Sequence, residues 1–125
     1  SSSLADYLNR VRQPFNVNRL ALSAAEVALN DTEHLEKCLK LNKQEKERYY
    51  KFFESHQYHF IKSFANFISF DCKGNSKNVF KSLLPKGVIT RPMGIYKMPN
   101  HLRVTIGLPE ENSAFMGSLT SLREH

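Results

Sequence analysis

Two arginines are the residues of this chain best suited to hold a charged guest. Arg91 and Arg103 both lie in the stretch GVITRPMGIYKMPNHLRVTIGLPEEN, residues 87–112. A guanidinium presents a planar fork of donors that fits a carboxylate or a phosphate through two bonds at once. Two such forks side by side would clamp a small anion. That requires each arginine to sit near the end of a short strand, with a turn bringing the strands together. Two solvated arginines on an exposed strand face satisfy the same spacing, and the residues alone leave both readings open.

The stretch supplies the elements the clamp would need. Val88-Ile89-Thr90 is a β-branched run after Gly87 and reads as a short strand. Pro92, Gly94, Pro99 and Asn100 punctuate a connection. Leu102 to Ile106 alternates, with Leu102, Val104 and Ile106 on one face and Arg103 and Thr105 on the other. Pro109 suits the first position of a helix, and Glu110 and Glu111 favour its positive end. That helix extends to about Arg123, with Phe115, Met116, Leu119 and Leu122 on one face and Ala114 also read as core.

Upstream, Ser3 is a candidate cap for a helix over residues 1–10, with Leu4, Tyr7, Leu8 and Val11 at helical spacing. Pro14 breaks it. Asn18 caps a second helix, residues 19–30, whose apolar residues cover nearly its whole circumference. Such a helix lies either at the centre of a core or against something absent from the chain. Asp31 or Thr32 caps a long helix reaching about His56. Leu35, Cys38 and Leu39 form an apolar stripe at its start, and Tyr49, Phe52 and Phe53 another at its end. Between them, residues 42–48 (NKQEKER) are polar on every face and read as a solvated middle rather than a nucleic-acid stripe.

Phe60-Ile61 and residues 64–70 read as strands. Asn66 interrupts the second, either as a buried amide with backbone partners or as a site residue. A turn at 73–76 precedes a short helix, residues 77–84, with Val79, Phe80, Leu83 and Leu84 facing inward. The pattern gives one α+β domain.

The chain has 125 residues, 41% of them hydrophobic and 24% charged, as in an ordinary globular protein with one core. No apolar run approaches membrane-spanning length and no signal peptide opens the sequence, so no membrane partner is expected. The sequence begins SSSLADYL without an initiator methionine, which is expected of a fragment or a processed product. Cys38 and Cys72 have no metal-type spacing and read as reduced thiols of a cytoplasmic protein. The net charge is +6. It suits small anionic substrates, whereas the lysines are mixed with glutamates and carry no nucleic-acid signature. His34, His56, His59, His101 and His125 make no metal constellation. No phosphate-cradling glycine loop, serine elbow or local cysteine–histidine signature is present. The residues by themselves offer an anion clamp and no catalytic group.

Several segments together resemble a known family. RQPFNVN (12–18) followed by an alanine-rich helix and Asn30-Asp31, SFANF (63–67), GVITRPM (87–93), PNHLRVTIG (99–107) and PEEN (109–112) resemble, in order and spacing, segments of histidinol-phosphate aminotransferases. The resemblance covers nearly the whole chain. It departs from the family at Leu108, where a small hydroxyl residue is common, and at Ala114, where some members carry arginine.

The resemblance implies fold type I with pyridoxal 5'-phosphate as cofactor, and transfer of an amino group between glutamate and imidazole-acetol phosphate in histidine biosynthesis. Residues 1–18 would be the end of the large domain and a linker. Residues 19–125 would be the C-terminal small domain with its interdomain helix, built on a small, mainly antiparallel sheet of three to four strands packed against helices. Arg103 would grip the donor carboxylate or the substrate phosphate, and Arg91 would be a second anion contact. The partners implied are the missing large domain of the same enzyme, a second subunit in a homodimer, and these small anions, with no nucleic acid. The lysine and the phosphate cup that hold the cofactor would belong to the missing domain. The alternatives are another fold type I transaminase or phospho-amino-acid decarboxylase, or a stand-alone basic binding module.

Overall fold

A computed structural model describes residues 2–12 and 15–123. Gln13 and Pro14, where the sequence places a helix break, and His125 lie outside the described residues. The elements are α1 (Ser2–Val11), α2 (Arg19–Leu29), α3 (Thr32–Ser55), β1 (Phe60–Ile61), β2 (Phe67–Asp71), α4 (Ser76–Leu83), β3 (Arg91–Pro92), β4 (His101–Thr105) and α5 (Pro109–Ser121). Short 3-10 turns occupy Leu84–Lys86 and Gly94–Tyr96.

The helix starts follow from their caps. The Asn18 side chain accepts from the Ala21 amide at 2.9 Å, Asp31 from His34 at 3.0 Å, and Asn75 from Lys77 at 3.0 Å. Pro109 is the first residue of α5, and the Glu111 carboxylate reaches back to the Leu108 amide at 2.8 Å.

The chain divides into two units, residues 1–36 and 37–125. In the first, no residue of α1 or α2 is buried. The option of α2 as a central core helix is therefore not realised, and Leu20, Leu22, Val27 and Leu29 stand exposed.

The second unit carries the sheet, four antiparallel strands in the order β1-β2-β4-β3. Alternation divides it into two faces. Ile68 and Phe70 of β2 and Leu102 and Val104 of β4 are buried in one core with Tyr49 and Phe53 of α3, Leu83 of α4, and Phe115, Met116 and Leu119 of α5. Aromatic rings dominate this layer. Phe53 stacks on Phe70 at 4.7 Å between centroids, and Phe70 meets Phe115 edge-on at 5.9 Å. The opposite face carries Phe67, Ser69 and Asp71 of β2 against Thr105, Arg103 and His101 of β4.

Several local expectations shift. The strand expected over residues 64–70 begins only at Phe67. The Tyr50 hydroxyl bonds both the amide and the carbonyl of Ser63, and the Ser63 hydroxyl takes the Ala65 amide, so the chain bends and Phe64 stands fully exposed. The run at residues 88–90 is not laddered. The Val88 amide is engaged by the Leu83 carbonyl at 3.2 Å, behind a left-handed Gly87 at φ 75°, and pairing starts at Arg91. Pro92 is tolerated because β3 is an edge strand. Leu84 turns outward as α4 tightens into the 3-10 turn, Ala114 is exposed, and the stripe Leu35, Cys38 and Leu39 is exposed as well. Cys38 is exposed and Cys72 buried.

Candidate functional site

Arg91 and Arg103 are direct cross-strand partners. Residues opposite one another on antiparallel strands share a face with their Cβ atoms about 5 Å apart. Both arginines therefore rise from the sheet face away from the helices. Arg91 is exposed and Arg103 half-buried. Neither is ion-paired to a carboxylate among the described residues. The Arg103 guanidinium instead lies over the Phe67 ring, 4.7 Å from its centroid, a cation–π contact that restrains the fork. Like charges directly opposite one another weaken a strand pair. An anion between the two guanidinium groups would remove that repulsion.

Beside Arg103 the same face is hollowed by a cavity of about 390 Å³, bounded by Ile61, Phe64, Phe67, Ser69, Met93 and Met98. Of the residues lining it, Phe67 supports the Arg103 guanidinium and Ser69 is the cross-strand partner of Arg103.

Behind the sheet, a buried polar cluster ties the exit of β4 to α3. The Asn112 amide group donates to the Glu45 carboxylate at 2.7 Å and to the Gly107 carbonyl at 2.9 Å. Its oxygen accepts from the Gly107 amide at 2.9 Å and from the Tyr49 hydroxyl at 3.1 Å. All four bonds available to an asparagine are made. Arg48 adds contacts to Glu45, to the Pro109 carbonyl and to Ser113. Burial, reinforced by Glu45, pushes the Tyr49 hydroxyl well above its ordinary value.

The reading of residues 42–48 as solvated on every face is thus corrected at Glu45, which is buried because Asn112 waits for it across the core. A signal for both was present. Asn112 shares the i, i+3, i+4, i+7 stripe of Phe115, Met116 and Leu119, and Glu45 lies one turn before Tyr49. Asn66, by contrast, is exposed and not a buried amide. Its carbonyl takes the Ile106 amide, and it lines a second cavity with Cys38, Asn42, Leu108 and Glu111.

No group of three or more metal-ligating side chains occurs among the described residues. Nor do these residues fit pyridoxal phosphate. No lysine is buried, and Lys62 and Lys77, which border cavities, have no carboxylate across from them.

The family model for aminotransferases of class I and II matches residues 1–116. Histidinol-phosphate aminotransferase 1 of Idiomarina loihiensis is 47% identical over 121 residues, 97% of this chain and 33% of that enzyme. Histidinol-phosphate aminotransferase 2 of Pseudomonas fluorescens is 51% identical over 116 residues, 93% of this chain and 31% of that enzyme. The crystal structure of the histidinol-phosphate aminotransferase from Clostridium acetobutylicum matches the fold with a TM-score of 0.79 at 21% identity, covering 99% of this chain and 39% of that one. The chain spans about one third of the length of the curated relatives it matches. The antiparallel α+β architecture, the fold match and the family match over nearly the whole sequence agree: this chain belongs to the aminotransferase class I and II family.

Proposed function

We propose that the chain is the C-terminal part of a pyridoxal-phosphate-dependent histidinol-phosphate aminotransferase, a cytoplasmic homodimer that exchanges an amino group between glutamate and imidazole-acetol phosphate. In this reading residues 1–18 end the large domain and form a linker, and residues 19–125 are the small domain. The cofactor and its lysine belong to the large domain, outside this chain. The role of this chain is to seize the substrate by its anion. Arg103 holds the donor carboxylate or the substrate phosphate and Arg91 supplies the second contact. Fixing the anion holds the amine at one place, which is catalysis by positioning.

The observation that carries the proposal is the unpaired arginine couple on adjacent strands. One site must accept a dicarboxylate and a phosphate monoester in turn, and guanidinium forks suit both. The relatives named as histidinol-phosphate aminotransferases support the choice of substrate.

The test is Arg103→Ala in the full-length protein. Loss of a charge-assisted bidentate contact, about 1.5–3 kcal/mol, is expected to raise the KM for glutamate roughly 10- to 100-fold. An unchanged KM would count against the proposal. Full activity towards a different amino acceptor, with none towards imidazole-acetol phosphate, would favour another fold type I enzyme.

A further inference from the structure

Three side-chain polar atoms are buried without a hydrogen-bond partner among the described residues: Asn42 Oδ1, Ser69 Oγ and Thr90 Oγ1. A buried hydroxyl left unpaired costs stability, and replacing it by hydrogen should be neutral or favourable to the fold. Such a group calls for an explanation, and use by a ligand is one.

Ser69 differs from the other two in its position. The ladders align Ile61, Ser69, Arg103 and Arg91 as one row across all four strands, on the face away from the core. Ser69 is the direct partner of Arg103. It also lines the cavity of about 390 Å³ bounded by Phe67, Met93 and Met98. The Arg103 side chain leans towards β2, the strand of Ser69, to reach the Phe67 ring. Adjacent strands are about 4.8 Å apart, well within the reach of an arginine side chain. A small oxyanion drawn to both guanidinium groups would meet the serine hydroxyl once the side chains over it shift, since that oxygen is covered here.

We propose that Ser69 is a further substrate-binding residue, its hydroxyl donating a third hydrogen bond to the carboxylate or phosphate that Arg91 and Arg103 hold. The assignment rests on the arginine pair being the anion site. It gives the orphaned hydroxyl its partner. It also makes the site a three-donor cradle that reads an oxyanion from two sides, two forks from β3 and β4 and one hydroxyl from β2.

The signature is a divergence of binding and stability. Inorganic phosphate is titrated calorimetrically into the full-length protein, and the melting temperature is measured without phosphate. Ser69→Ala is expected to weaken phosphate binding about 3- to 10-fold, the loss of one hydrogen bond, while the melting temperature holds or rises. Ser69→Thr, which keeps the hydroxyl and extends a methyl group towards the cavity, is expected to bind within about twofold of the parent. Unchanged phosphate affinity in Ser69→Ala, with affinity lost in Arg103→Ala, would overturn the role of Ser69 and leave the arginine site standing. A fall in melting temperature in Ser69→Ala would also overturn it, because the hydroxyl would then have a structural partner. Phosphate binding indifferent to Arg103→Ala would remove the anion site itself, and Ser69 with it.

Discussion

Arg103 rests its guanidinium on Phe67 rather than on an acid, which leaves its charge open to the anion proposed above. A ring beneath the fork narrows its orientations without neutralising its charge. Phe67→Leu is therefore expected to weaken phosphate binding about two- to fivefold, because the fork is no longer held ready. Unchanged affinity in a phosphate titration would show that the ring does not prepare the arginine.

Asn112 works in the opposite way, through full satisfaction of its bonding capacity. Asn112→Ala leaves Glu45 and Tyr49 unpaired in the core and is expected to destabilise the fold by about 3 kcal/mol. Denaturant unfolding checks this, and a loss below about 1 kcal/mol would contradict it.

The same burial makes stability depend on alkaline pH. The raised pKa of Tyr49 comes chiefly from burial and secondly from Glu45, and burial also raises Tyr58 and Cys72. In each case the folded state binds its proton more tightly than the unfolded chain does. The contribution is fully present below the unfolded values of about 9 for the thiol and 10 for tyrosine, and is lost as pH rises through the folded ones. The melting temperature is expected to fall steadily above pH ~9. A flat profile to pH ~11 would contradict the assignment of these groups.

At the scale of elements, the β4–α5 corner is the joint that matters most. A Cβ on Gly107 would collide with the Glu111 carboxylate, which caps the Leu108 amide. Gly107→Ala is expected to cost about 1–2 kcal/mol by displacing that cap. Calorimetric unfolding of the variant measures the cost, and a neutral result would mean that the Glu111 side chain relocates freely.

The elements read most readily from sequence are those with local signals. Asn18, Asp31 and Pro109 announce the starts of α2, α3 and α5, and strict alternation from Leu102 to Ile106 fixes which way Arg103 faces. What escaped the sequence depends on distant partners. Glu45 looks solvated until Asn112, far along the chain, is brought to it, and Phe64 looks strand-like until the Tyr50 hydroxyl bends the chain at Ser63. The strand at β3 is displaced because one amide is diverted to close a turn. The pairing of Arg91 with Arg103 needed a register that no spacing specifies, and Ser69 became visible only through its missing partner.

At the scale of the whole molecule, the first unit presents Leu4, Tyr7, Leu8, Val11, Leu20, Val27 and Leu29 to solvent, and exposed apolar side chains of this kind favour association. In the proposed enzyme the large domain covers it. The 125-residue chain on its own is expected to self-associate, more strongly in salt, which screens its positive charge. A strict monomer by sedimentation at high concentration would contradict this.

The central claim is that two guanidinium groups on neighbouring strands share one anionic guest. It is tested most directly by a double-mutant cycle of Arg91→Ala and Arg103→Ala in the full-length protein, read by phosphate affinity. Groups sharing a guest are expected to couple by more than the ~0.5 kcal/mol within which independent sites add, with Arg103→Ala alone already removing most of the binding. Full phosphate affinity in the double variant would show that the anion is held elsewhere.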